Sequence, residues 1–347
     1  MLEQFARQLA ASQPLTDGQV RQAVDLLTDE KIPAAVKAGF LTALAQKGET
    51  PVEIAAFAGA LRDKSLPPPL DTETRAREIL DVVGTGGDRH GTFNISTSAA
   101  LVCAAAGVTV AKHGNRAVTS QAGSADVLEA LGVRIDLPPA EAARSLRERR
   151  FAFFFAPAYH PAFKHIAPAR KLCAERGQRT IFNFLGPLLN PARPSAMLVG
   201  VPRPDLCEPL ARVLQSLGVR RAMVVCGSVA DAGYLDELST LGENTVAEFY
   251  QERGLNVSVM SSESFPLQPA KLADLLGGGK QQNAEIIRRI LGGQERGPKR
   301  DAVLLNAAAA LFVAGRARTI EDGWGLAMAT LDSGQAGAKL AELGGSF

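Results

Sequence analysis

Two glycine-rich loops, each following an apolar, β-prone run, constrain this chain more than any other feature. Ile79–Val83 leads into Gly84-Thr85-Gly86-Gly87-Asp88, and Val108–Lys112 leads into His113-Gly114-Asn115-Arg116. Loops of this composition turn several backbone N–H groups toward one anion. Lys112 and Arg116 add positive charge, while Asp88 and Asp126 add carboxylates that phosphate alone would repel. Phosphate donors together with carboxylates suggest a polyphosphate held with a divalent metal.

The familiar nucleotide motifs are absent. Gly84-Thr85-Gly86-Gly87-Asp88-Arg89 begins like G-x-G-x-x-G, but Arg89 occupies the final glycine position, so the dinucleotide fingerprint is broken. No G-x-x-x-x-G-K-[ST] occurs either, which argues against a P-loop nucleotidase. On its own the first loop also reads as a tight strand-to-helix turn. A turn does not need Lys112, His113, Asn115, Arg116, Thr119, Ser120 and Ser124 within one short span.

The rest of the chain supplies the frame. Thr16-Asp17-Gly18-Gln19 and Thr50-Pro51-Val52-Glu53 have capping-box spacing ahead of helical apolar patterns, so residues 1–65 read as helices rich in small residues. Pro67-Pro68-Pro69 makes a stiff connector. Beyond it, apolar runs alternate with helical patterns. Predicted strands are Ile79–Val83, Val108–Lys112, Phe151–Phe155, Met197–Val201 and Ala222–Cys226. Predicted helices are Thr97–Ala106, Ala125–Leu131, Ala140–Arg149, Pro204–Leu217, Ala284–Leu291, Ala302–Val313 and Ile320–Leu331. This is the signature of an α/β fold with a mostly parallel central sheet flanked by helices, plus a small all-helical N-terminal subdomain. The domains are then 1–66, joined by helices near 160–185, and 70–347. Ligands in such sheets sit at the carboxyl ends of the strands, where both glycine-rich loops fall. Gly277-Gly278-Gly279-Lys280 follows no β-prone run and reads as a flexible surface loop.

Composition bounds the function. The 347 residues are 46% apolar and 21% charged, as in a soluble globular protein, and a net charge of +2 gives no nucleic-acid stripe. Met1–Ala10 lacks the continuous apolar core of a signal peptide, and the longest apolar run, near Leu101–Ala111, is too short to span a bilayer. Cys103, Cys173, Cys207 and Cys226 form no C-x-x-C pair and read as buried free thiols of a cytoplasmic protein.

The blocks G-T-G-G-D (84–88), N-I-S-T (94–97), K-H-G-N-R (112–116) and G-S-A-D (123–126) together resemble the anthranilate phosphoribosyltransferases. H-P-A-F-K-H-I-A-P-A-R (160–170), F-N-F-L-G-P-L-L-N-P (182–191), L-D-E-L-S (235–239) and G-P-K-R-D-A-V-L-L-N-A (297–307) follow in the family's order. The resemblance covers nearly the whole chain. It implies transfer of the phosphoribosyl group of phosphoribosyl pyrophosphate (PRPP) to the amine of anthranilate, two Mg2+ ions and a homodimer formed through the helical subdomain. It implies no nucleic-acid or membrane partner.

The resemblance also implies a site. Gly84, Gly87, Asp88, Thr92, Asn94, Ile95, Ser96 and Thr97 fall to PRPP, as do Lys112, His113, Gly114, Asn115, Arg116, Ala117, Val118, Thr119, Ser120 and Ser124. Lys112 is the natural point charge for pyrophosphate. His113 is a candidate acceptor for the amine proton. Gly84, Asn115 and Arg170 fall to anthranilate, Arg170 pairing with its carboxylate. Ser96, Asp236 and Glu237 fall to the metal. By residue type alone, Ser96 reads equally as a helix N-cap, Asp236 and Glu237 as a surface acidic pair, and Arg170 as a helix-surface arginine. His160 and His165 read as scaffold. The segment between Arg170 and Thr180, K-L-C-A-E-R-G-Q-R, is a few residues longer than the usual family spacing.

Two other functions compete. A pyrimidine nucleoside phosphorylase shares the fold but carries K-H-S-x-G-G in its first glycine loop, whereas here the K-H pair opens the second. A noncatalytic nucleic-acid-binding relative should lose the catalytic loops and gain a basic face.

Overall fold

The computed structural model describes residues 1–117, 121–229, 232–251 and 253–344. Its first four helices are Leu2–Ala10, Asp17–Thr28, Ala34–Lys47 and Pro51–Asp63. Both expected capping boxes form, Thr16 with Gln19 and Thr50 with Glu53. Glu53 is also buried, and it accepts from Leu15 N–H and from Lys47 Nζ at 2.6 Å, which ties three segments together.

The strands of the sheet are β1 (Ile79–Gly84), β2 (Thr109–Gly114), β3 (Phe151–Phe155), β4 (Ala196–Gly200), β5 (Arg221–Val229), β6 (Gly233–Leu235), β7 (Asn244–Tyr250) and β8 (Gly254–Met260). The sheet runs β3-β2-β1-β4-β5-β7-β8, with β6 pairing β5. The first five strands are mutually parallel. β6, β7 and β8 are antiparallel additions. All five expected strands are present within one to three residues of their predicted ends. Of the antiparallel three, β8 alternates Leu255, Val257 and Val259 with polar residues, a pattern the expected strands did not include. In the fold β8 exposes most of its length, Val257 and Val259 included, so its apolar alternation largely faces solvent rather than a core.

Side chains alternate between the two faces of the sheet. Leu198, Met223 and Val225 enter one core with the helices Ile95–Ala105, Pro298–Val313 and Ile320–Asp332. Met197, Val199, Ala222 and Val224 enter another with the helix Cys207–Ser216 and the N-terminal helices. The helical subdomain therefore packs into one core with a face of the sheet. The chain joins it again through the helix Ala167–Glu175, whose Ala169 and Cys173 lie in the same core. Among the described residues, no helix is long and apolar enough to cross a membrane.

Candidate active site

The carboxyl ends of β1, β2, β4 and β5 converge, and glycine is what lets them. A Cβ on Gly84 would sit 2.3 Å from Asp236 Oδ2, and one on Gly200 would sit 1.6 Å from the Asp236 carbonyl oxygen. Any side chain at these strand ends would expel the Leu235–Ser239 segment. Two buried asparagines hold that segment from behind. Asn306 accepts from Leu238 N–H at 3.0 Å and donates to the Leu238 carbonyl, while Asn244 accepts from Ser239 N–H at 2.7 Å and donates to the Ser239 carbonyl. Adjacent carboxylates are thereby fixed in an irregular segment, where both reach the site.

Asp236 Oδ2 accepts from Gly86 N–H at 2.6 Å, and Glu237 Oε1 accepts from Ser96 N–H at 3.2 Å. Gly86 and Gly87 hold φ of +73° and +96°, a conformation that side chains disfavour, so the first loop needs glycine there. Burial, then repulsion from Asp88 and Glu237, pushes the Asp236 carboxyl well above its ordinary range. Burial raises Glu237 to about 7, against the opposing charge of Lys112. Asp88 Oδ2 and Thr97 Oγ1 are buried without a hydrogen-bond partner. Among the described residues, no three His, Cys, Asp or Glu side chains form a ready metal cage. Still, a crowded set of carboxylates with an orphaned oxygen fits a cation that keeps waters and phosphate oxygens in its shell, as Mg2+ does. Ser96 lies in the first turn of its helix, whose N-cap is Asn94, so the N-cap reading of Ser96 does not hold.

The structure redistributes several other charges. Lys112 is buried and its Nζ donates to the Val82 carbonyl at 2.6 Å, with burial lowering its pKa and Asp81 and Glu237 opposing that shift. Its ammonium lies beneath the loops as an internal counter-charge rather than an open phosphate contact. Arg116 pairs with Asp126 and Glu129, so it is not a free cation. Asp126 accepts from Ala117 N–H and Gly123 N–H, closing the second loop on itself instead of facing a metal. A Cβ on Gly123 would meet Ala117 N at 2.5 Å, so that closure depends on glycine.

Around these charges, Asn94 donates to the Ala122 carbonyl and accepts from Asn283, bridging the two loops. Thr92 forms a β-bridge with Leu276, and Gly277 N–H donates to Gly91 O. Gly277–Gly279 therefore packs against the first loop rather than lying free. Ile95 is buried, so only its backbone is available to a ligand. Gly114 packs against the Phe153 ring and the Ser124 Cβ, and Asn115 is exposed beside them. Val118, Thr119 and Ser120 lie outside the described residues.

His113 is buried against His160, their Nε2 atoms 3.3 Å apart. Burial pulls His113 down to about 3 and His160 down to about 4, so both rings are neutral at physiological pH. A neutral, enclosed His113 is a poor acceptor for the amine proton, and His160 is more than scaffold. The contact opens a ladder of rings. His160 lies 5.1 Å from Phe163, Phe163 5.8 Å from Phe182, and the Arg170 guanidinium 5.1 Å over Phe182. Arg170 is exposed at the far end, lining a cleft of about 510 Å³ with Arg89, Lys171, Arg179 and Asn183. The long 171–179 segment forms the end of that helix and one wall of the cleft.

Sequence reasoning missed the residues that hold the site from below. Asp81 is fully buried, accepts from Asn190 Nδ2 at 2.8 Å and from His113 N–H, and is raised by burial to about 6. Asn190 donates also to the Ala111 carbonyl, joining β1 to β2. A carboxylate in the middle of an apolar strand is the signal that would have flagged Asp81.

Comparison with known proteins agrees with this arrangement. The sequence model of the glycosyl transferase family helical bundle domain matches residues 3–65, and that of the family's a/b domain matches residues 76–337. Anthranilate phosphoribosyltransferase of Petrotoga mobilis is 44% identical over 343 residues, covering 99% of this chain and 96% of the relative. The crystal structure of the Thermus thermophilus enzyme aligns with TM-score 0.88 at 42% identity, covering 98% of both chains. The Saccharomyces cerevisiae enzyme in complex with PRPP and Mg aligns with TM-score 0.87 at 27% identity, covering 99% of this chain and 96% of that one. The same yeast enzyme has a structure in complex with 4-fluoroanthranilate. With both family domains in order and such identity along its whole length, this chain belongs to the anthranilate phosphoribosyltransferase family.

Proposed function

We propose that this protein transfers the phosphoribosyl group of PRPP to the amine of anthranilate, giving N-(5-phosphoribosyl)anthranilate and pyrophosphate, a step of tryptophan biosynthesis. The observation that carries this reading is the convergence of the first glycine-rich loop and the start of the helix Ile95–Ala105 on Asp236 and Glu237, with the second loop bridged to them through Asn94, a ladder of rings away from Arg170. The amine nitrogen bonds to the ribose anomeric carbon as the carbon–oxygen bond to pyrophosphate breaks, and pyrophosphate leaves with the electron pair. An aromatic amine is neutral at physiological pH, so the demand is to hold the leaving group and align the acceptor.

The chain's groups divide along that line. Backbone donors of 84–88, the start of the helix Ile95–Ala105 and the second loop hold the phosphates. Arg170, with Gly84 and Asn115 nearby in the reading, takes the anthranilate carboxylate. His113 positions the second loop instead of moving a proton. Asp88, Ser96, Asp236 and Glu237 would hold Mg2+, two ions in this reading, which offset the charge gathering on pyrophosphate. Lys112 compensates the same carboxylates from below. The division at Pro67–Pro69 into domains 1–66 and 70–347, a cytoplasmic location and a homodimer through the helical subdomain complete the reading.

The test is loss of anthranilate fluorescence with purified protein, PRPP and Mg2+. Unchanged anthranilate together with phosphorolysis of thymidine would replace this reading with the nucleoside phosphorylase one.

A further inference from the structure

Asn94 and Asn283 lie 189 residues apart in the chain, yet their carboxamides form one relay between the two loops. Gly278 N–H donates to Asn283 Oδ1 at 2.7 Å, Asn283 Nδ2 donates to Asn94 Oδ1 at 2.9 Å, and Asn94 Nδ2 donates to the Ala122 carbonyl at 3.2 Å. The two ends fix the direction of the relay. A backbone N–H only donates and a carbonyl only accepts, so each carboxamide has one allowed orientation. Asn283 is buried on the helix Lys280–Leu291, and the chain passes it closely. A Cβ on Gly277 would meet Asn283 Oδ1 at 2.5 Å and Phe93 Cα at 2.7 Å.

The relay takes Asn94 away from the role its position offers. Asn94 is the N-cap of the helix Ile95–Ala105, where an asparagine ordinarily turns its side-chain oxygen onto the second or third N–H of its own helix. Here Asn283 holds that oxygen, and Asn94 makes no side-chain capping bond. Ser96 N–H goes to Glu237 instead. Thr97 is fully buried, and among the described residues both its N–H and its Oγ1 are without a hydrogen-bond partner. Unpaired donors at a buried helix start are unfavourable for the fold unless a ligand meets them.

We infer that Asn283 is a positioning residue for the phosphoribosyl donor. It draws the Asn94 carboxamide off the helix start, which leaves the Thr97 donors open to the phosphates of PRPP and leaves Asn94 a spare Nδ2 hydrogen, rather than an oxygen, for the same anion. The inference deepens the proposed transferase reading and rests on it. Asn283 touches no reacting atom in that reading and acts through Asn94.

The experiment crosses Asn283→Asp and Asn283→Leu with Asn94→Ala. Asn283→Asp keeps the size and the acceptor for Gly278 N–H but cannot donate to Asn94, and Asn283→Leu removes both bonds without adding charge. The readouts are calorimetric titration with pyrophosphate and Mg2+, initial rates with each substrate varied in turn, and Tm. Either substitution should weaken pyrophosphate binding and raise KM for PRPP about tenfold, with KM for anthranilate within about twofold of wild type. In the Asn94→Ala background either should add less than about twofold, because the side chain through which Asn283 acts is gone. Tm should not follow KM, since a released Asn94 can cap its own helix. Equal rises in KM for both substrates, or full additivity with Asn94→Ala, would overturn the role, and so would unfolding of both Asn283 variants. A wild type that binds pyrophosphate but leaves anthranilate unconsumed would instead count against the transferase reading itself.

Discussion

His113 and His160 face each other through their Nε2 atoms at 3.3 Å, with ring centroids 5.3 Å apart and planes at 72°. One proton serves that contact, since two N–H groups would collide and two bare nitrogens would repel. The rings must therefore hold complementary tautomers, and each fixes the other's orientation. The contact ties the second glycine-rich loop to the 160–185 segment that carries Phe163, Arg170 and Phe182. In the proposed reading, packed rings thus hold the phosphate and acceptor ends at a set separation.

Replacing His160 should disturb the acceptor more than the donor. His160→Leu leaves His113 Nε2 buried without a partner, which costs about 1–3 kcal/mol of stability. We expect KM for anthranilate to rise severalfold and His160→Gln, which returns a polar partner, to recover part of it. With only four histidines, long-range proton–nitrogen NMR can read the tautomers directly. Wild type should show His113 and His160 as opposite neutral tautomers, and two identical tautomers would refute the pairing.

The same pair gives a pH signature. Burial lowers His160 from 6.5 to about 4 in the fold, so the unfolded chain binds the extra proton first on acidification. The stability that neutral His160 contributes is complete above pH 6.5 and is lost as pH falls toward 4. The gap between wild type and His160→Leu should narrow by about 1.4 kcal/mol per pH unit in that window. Denaturant unfolding at pH 7.0 and 5.5 measures it, and a constant gap would mean that His160 takes up its proton equally in the folded and unfolded chain.

For Asp236 and Glu237 the sign is opposite. Burial raises both, Glu237 to about 7. Protonated, they contribute stability that is complete below the unfolded pKa and is lost as pH climbs through the folded one. Mg2+ binds the ionised forms, so it should raise Tm clearly at pH 8 and little at pH 5.5. Asp236→Asn with Glu237→Gln should remove that Mg2+ response and raise the Mg2+ needed for turnover. A pH-independent Mg2+ effect, or an unaltered titration in the double variant, would place the metal elsewhere.

Asn306 tests whether the carboxylates depend on their backbone clamp. Asn306→Leu removes the acceptor for Leu238 N–H and the donor to its carbonyl inside the core. Stability should fall by about 1–3 kcal/mol per orphaned group, and the Mg2+ requirement should rise although no candidate ligand has changed. Equal Mg2+ titrations in folded variant and wild type would show that the segment holds its shape unaided.

The sequence disclosed what was local. Loop glycines, capping boxes and the alternation of strand and helix patterns placed the five parallel strands and both loops, because each depends on neighbours in the chain. It disclosed less where the partner is distant. Whether Asp126 or Arg116 is free depends on the fold of one loop, and whether Lys112 faces ligand depends on Asp81 and Glu237. His160 and Asn306 reach across 47 and 68 residues to their partners, so neither shows its role by spacing. The antiparallel β7–β8 pair was missed although Leu255, Val257 and Val259 alternate along β8 and Val246, Ala247 and Phe249 of β7 are buried, because it follows no strand–helix alternation of the parallel part.

The claim that donor and acceptor are read by separate groups at one site rests most directly on Arg170→Ala. Arg170 stands on the Phe182 ring and shares its cleft with Arg89 of the first loop, but no hydrogen bond ties it to the backbone of the glycine-rich loops among the described residues, so its loss should reach anthranilate far more than PRPP. A charge-assisted contact is worth about 1.5–3 kcal/mol, or roughly ten- to a hundredfold. Initial rates with each substrate varied in turn should show that rise in KM for anthranilate, with KM for PRPP near wild type and a smaller change in kcat. An equal loss of apparent affinity for both substrates would mean that Arg170 supports the fold rather than the acceptor.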